Sequence, residues 1–122
     1  MSIRNLALDS GLRNFKQESL PIPEWDGQEV IIRALSAGDW DDYRQAITTT
    51  SDDASVDVIG AYALVLSRTL FDPQTAQRVF IDEDAPELAR SFSPVHDRLV
   101  ALAFELSGAH AEADPVEEAG ND

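Results

Sequence analysis

Three acidic clusters, Asp39/Asp41/Asp42, Asp52/Asp53 and Asp82/Glu83/Asp84, are the groups in this chain best suited to chemistry, since grouped carboxylates can hold a divalent cation or trade a proton. None has the spacing for either task. A calcium loop needs alternating oxygen ligands around a central glycine, and no cluster supplies it. His96 and His110 lack the H-E-x-x-H arrangement that places two ligands on one helix face, and cysteine is absent. There is also no phosphate-cradling glycine loop and no G-x-S-x-G elbow. The acids are explained by position, at predicted helix starts where carboxylates meet the positive end of the helix dipole, or in a polar loop. The sequence argues against an enzyme, and neither a cofactor nor a metal is expected.

The elements that would position these residues begin with the run from Pro21 to Arg44, which holds both tryptophans. Phe15 to Leu20 and Gln28 to Leu35 read as short strands, with Pro21, Pro23 and Asp26-Gly27 supplying the turn between them, so a β-hairpin is predicted. In the second strand Val30, Ile32 and Ala34 share one face while Ile31, Arg33 and Leu35 share the other. Neither face is cleanly polar, so the strand packs on both sides or meets a partner. Ser36 reads as a helix N-cap with Asp39 completing a capping-box exchange, and the helix carries Trp40, Tyr43, Ala46 and Ile47 as one apolar stripe.

Further along, TTTSDDAS (48–55) is a polar loop, and Val56 to Leu70 follows helical periodicity. Pro73 stops that helix, Arg78 to Ile81 reads as a short extended piece, and a helix is predicted from Pro86 to about Phe92. Ser93-Pro94 starts the last helix, with Val95, Leu99, Leu102 and Leu106 on one face, Val100, Ala103 and Phe104 on a second, and Gly108 as its stop. The fold class expected is α+β and mostly helical, an N-terminal β-hairpin followed by a small bundle of about four helices. It divides into an arm (1–13), in which a short helix and a flexible segment are both compatible with the pattern, one globular domain (14–108) and an acidic disordered tail (109–122).

With 122 residues the chain supports one small core. Nine basic against 23 acidic residues give a net charge of −14. Such a surface repels phosphate backbones, so nucleic-acid binding is not expected. No apolar run reaches membrane-spanning length and no signal-like N-terminus is present, which points to a soluble cytosolic protein with no membrane partner.

The order of strand, proline, Trp-x-Gly turn, a strand running Val30-Ile31-Ile32-Arg33-Ala34-Leu35-Ser36, and then a helix resembles the N-terminal half of tail assembly chaperones from long-tailed double-stranded DNA phages. A second block, Leu70-Phe71-Asp72, Arg78-Val79-Phe80, Asp84, Leu88 and the ending Leu106-Ser107-Gly108, extends the resemblance over residues 14 to 108. It departs where Pro73-Gln74-Thr75 stands in place of the glycine that often follows the aspartate.

The resemblance implies a non-enzymatic protein of the host cell cytoplasm that binds the tape measure protein, keeps its apolar surfaces from aggregating and leaves before the virion is mature. It also implies recruitment of tail tube protein, in this family often through a longer frameshifted form, and it leaves homo-oligomerisation open. Trp25, Ile31, Arg33, Trp40 and Phe104 are the candidate partner-binding residues, because tryptophan and arginine are enriched among binding hot spots and the second faces of the strand and last helix carry the others. For each tryptophan the competing reading is packing, across the hairpin for Trp25 and on the core for Trp40. For Arg33 it is a salt bridge to a nearby acid. Two other functions fit the sequence: a tail completion or connector protein, which would stay in the particle, and an acidic DNA mimic that inhibits a basic partner.

Overall fold

The computed structural model describes residues 2–48 and 58–108. The expected polar loop beyond Thr48, the acidic tail from Ala109 and His110 lie outside the described residues. A short helix α1 (Ile3–Ala7) opens the arm, and Ser2 caps it by accepting the Asn5 amide at 3.1 Å. The hairpin is β1 (Gln17–Ile22) and β2 (Gln28–Arg33), paired antiparallel with Leu20 opposite Val30. Its turn is a 3₁₀ turn over Pro23–Trp25, after which Asp26 (φ 58°) and Gly27 (φ 73°) both take the left-handed conformation. Aspartate tolerates that region and glycine enters it freely, which is why Asp-Gly closes the loop. The first strand lies two residues later than the sequence pattern places it and includes Pro21. Only an edge strand accepts proline in this way, because its missing amide hydrogen can face away from the ladder.

Helices α2 (Ala37–Thr48) and α3 (Val58–Thr69) follow. The Ser36 N-cap is formed as expected: the Asp39 amide donates to Ser36 Oγ and the Ser36 amide to Asp39 Oδ2, each at 3.0 Å. Instead of continuing as helix through Leu70, the chain straightens at Thr69 into β3 (Leu70–Asp72), which pairs with β2. A turn with Ala76 at φ 59° leads to β4 (Gln77–Arg78), so the hairpin is half of a four-stranded antiparallel sheet in the order β1-β2-β3-β4. A 3₁₀ turn at Asp82–Asp84 leads into α4 (Ala85–Arg90) and then α5 (Pro94–Leu106). Gly108, at φ 73°, ends the last helix.

The sheet and helices form a mixed α+β fold in which helix predominates. Ile22, Val30, Ile32 and Leu70 project from one face of the sheet and bury against Leu66 of α3 and Leu99, Val100 and Ala103 of α5. Leu66, Leu99 and Ile32 are fully enclosed, and each such side chain contributes about 1.5–3 kcal/mol of hydrophobic stabilisation. The last helix, apolar on more than one side, is therefore central to the core. Arg33 and Phe71 leave the opposite face of the sheet, where the ring of Phe15 covers the Arg33 guanidinium at 4.4 Å.

Candidate interaction surface

Arg33 is only 3% exposed, an unusual position for a cation, and every direction of its guanidinium is engaged. It bonds the Asp39 carboxylate and the Ser10 carbonyl, donates to its neighbour Ala34 O at 2.9 Å, and stacks on Phe15 and Phe71. Burial pulls its pKa below the ordinary arginine value, and the Asp39 charge opposes that shift. Asp39 in turn accepts Arg68 Nη1 at 2.9 Å. Arg68 forks onto Asp82 through Nε (2.8 Å) and Nη2 (3.1 Å) and reaches Asp42 at 3.0 Å. Arg78 closes the chain of charges, donating to Asp82 at 2.7 Å and to the Ser67 carbonyl at 2.8 Å. This junction ties the arm, β2, α2, α3, β4 and the 3₁₀ turn together. It holds Arg68 above its ordinary pKa, chiefly through Asp82, and Asp82 below the usual carboxylate range, chiefly through Arg68.

A second feature is a run of partly buried rings. From the hairpin turn, Trp25 meets His96 (5.9 Å between ring centres), His96 meets Phe92 (5.4 Å), and Phe92 meets Tyr62 (6.3 Å). Tyr62 stacks on Tyr43 (6.3 Å), Tyr43 on Trp40 (5.7 Å), and Phe104 inserts edge-on against Tyr43 at 5.0 Å. Trp40 Nε1 is buried without a conventional acceptor, while the Phe104 ring stands at 76° to the indole at 5.6 Å. His96 Nδ1 accepts the Ser93 amide at 2.9 Å, which requires an unprotonated Nδ1, and burial lowers the pKa of the ring.

A family model described as phage tail assembly chaperone matches residues 2–121 of this chain. The chain belongs to that family. Comparison with curated proteins found no match. Among solved structures the chain is similar to the tail assembly chaperone of bacteriophage HK97, at 24% identity and a TM-score of 0.70 over 85% of this chain and 95% of that one. At that identity the likeness speaks for the fold. Tail assembly chaperones of this family are non-catalytic, and among the described residues no three His, Cys, Asp or Glu side chains converge as a metal site. Nor is any described helix long and apolar enough to cross a membrane.

In this chaperone the candidate contact residues are spread over the molecule. Trp25, half-buried, lies at the hairpin turn beside His96, and Ile31, also half-buried, sits in the middle of the sheet opposite Ser19 and Phe71. Trp40 and Phe104 pack against each other in the ring cluster, and Arg33 is the buried centre of the ion-pair junction. Among the described residues of 14–108, the most open large apolar side chains are elsewhere. Val79 is 46% and Ile81 60% exposed, on either side of half-buried Phe80, directly after β4. Sequence reading treats Val79-Phe80-Ile81 as part of an extended piece. The signal available there is three consecutive apolar residues running straight into Asp82-Glu83-Asp84, a greasy segment with no polar alternation to hide one side.

Proposed function

We propose that this chain acts in phage tail morphogenesis by binding the tape measure protein, covering apolar surface on its long helices and keeping it soluble until tail tube subunits assemble around it. Membership of the tail assembly chaperone family across residues 2–121 carries the reading. Charge supports it: 23 acidic against nine basic residues give a net charge of −14, which helps keep a complex dispersed. Binding by contact also suits a fold with partly open rings and exposed aliphatic side chains and no described metal cluster. In this proposal Trp25 and Ile31 contact the partner directly, while Arg33, Trp40 and Phe104 hold the surfaces that do. Recruitment of tail tube protein falls to a longer frameshifted product, and the work is done in the host cytoplasm by a protein absent from the finished virion.

Coexpression with the tape measure protein tests this. The expected result is a soluble tape measure protein that copurifies with the chain. A tape measure protein that stays insoluble, with no complex in a pull-down, contradicts the proposal.

A further inference from the structure

Two grooves share Val79 and Phe80. One, of about 410 Å³, runs from Val79 and Phe80 across Leu88 to His96 between β4 and the helices. The other, of about 350 Å³, runs past Val30 and Leu70 to Trp25 at the hairpin turn. Their floors are apolar, and the exposed side chain of Val79 lines both, beside half-buried Phe80. Their rims are acidic: Asp84 and Glu87 line the first, Glu29 and Asp72 the second, and no lysine or arginine lines either. None of these four carboxylates is in an ion pair among the described residues; of the cations closest to them in sequence, Arg33 is taken up by Asp39 and Arg68 and Arg78 by Asp82, while exposed Arg90, three residues after Glu87, lines neither groove. His96 adds no countercharge while its ring is neutral.

From this arrangement we infer that the paired grooves around Phe80 are the docking site for an amphipathic helix of a partner polypeptide that carries lysine or arginine beside its apolar stripe. The apolar floor takes the stripe and the four carboxylates take the flanking cations. Strand addition is the other way an extended partner could bind here, but β4 offers only the two-residue edge Gln77–Arg78, too short for main-chain pairing to supply the affinity. Trp25 stands at the far end of the second groove as an anchor, which gives that candidate residue a place in a specific site. The inference rests on the chaperone reading and names the surface through which it acts.

The test uses the full chain and two fluorescent synthetic peptides of about five helical turns, both with a leucine stripe, one flanked by lysines and one by glutamates. Anisotropy is expected to show binding of the lysine peptide, weakened by salt, and none of the glutamate peptide. The variant Val79→Ser, with unchanged circular dichroism, weakens the lysine peptide by at least about tenfold, and Glu29→Lys/Glu87→Lys shifts preference to the glutamate peptide. Equal binding of both peptides, no binding of the lysine peptide, or undiminished binding by the serine variant overturns the site. So does a serine variant whose sedimentation, not its peptide affinity, changes, because the surface then belongs to a second copy of the chain. Coexpression separates this from the broader proposal: if wild type and serine variant solubilise the tape measure protein equally, the site fails and the chaperone role stands. If wild type itself fails, the role falls.

Discussion

One peptide bond separates two opposite environments. Arg78 belongs to a junction in which each guanidinium meets carboxylates or carbonyls, while Val79 begins a segment in which Val79 and Ile81 are open to water. The junction costs desolvation and returns it through saturated hydrogen bonding, so it fixes where six segments sit relative to one another and has nothing left to offer a partner. The apolar surface is the reverse. It contributes little to the folded monomer and gains most when another molecule covers it. With the proposed docking site, rigidity and binding fall to adjacent but separate residues.

That separation can be broken from either side. The largest effect is expected for Asp39→Ala, which leaves Arg33 buried without its carboxylate and takes an acceptor from Arg68: a loss of about 3–5 kcal/mol in urea unfolding. Next, Ser107→Ala removes the hydroxyl that accepts the Leu35 amide at 2.8 Å and donates to the Ala103 carbonyl at 2.6 Å, stitching the end of α5 to the start of α2. The orphaned amide predicts a loss of about 1–3 kcal/mol in the same assay.

Acid probes the junction more gently. Asp82 has a folded-state pKa below its unfolded value, so its contribution is fully present above the ordinary aspartate range near about 4 and is lost as pH falls through the depressed value. Thermal unfolding from pH 7 downward should show stability nearly flat to about pH 5 and then falling, and Asp82→Asn should flatten that fall. The half-exposed Asp82 side chain makes the effect smaller than that of Asp39. Smallest of all for stability is Val79→Ser, expected to stay within about 0.5 kcal/mol of wild type in unfolding while removing most affinity for the helix proposed to dock there.

Sequence-local features were legible because their physics is local. Asp26-Gly27 closes the hairpin, Ser36 and Asp39 exchange caps, Pro94 opens the last helix and Gly108 ends it, each as its residue type requires. The misses come from contacts between distant segments. Leu70 fits the periodicity of α3, yet pairing opposite Ile32 draws it into a strand, and that preference exists only once β2 is alongside. The same holds for Pro21, whose inclusion in β1 depends on the strand being at an edge. Arg33 invites reading as a partner contact or a salt bridge, and nothing in its neighbourhood reveals Arg68 or the Ser10 carbonyl. Val79 and Ile81 escape notice for a related reason: their exposure follows from how β4 leaves the sheet, a property of topology and not of the tripeptide.

Hydrogen exchange, measured on the free chain and on the proposed complex with the tape measure protein, tests the account most directly. It predicts slow exchange at the Arg33–Asp39–Arg68 junction in both states and new protection on binding across 79–91 and the hairpin turn around Trp25. Unchanged exchange in those segments, or protection appearing only in surfaces remote from Phe80, would contradict it.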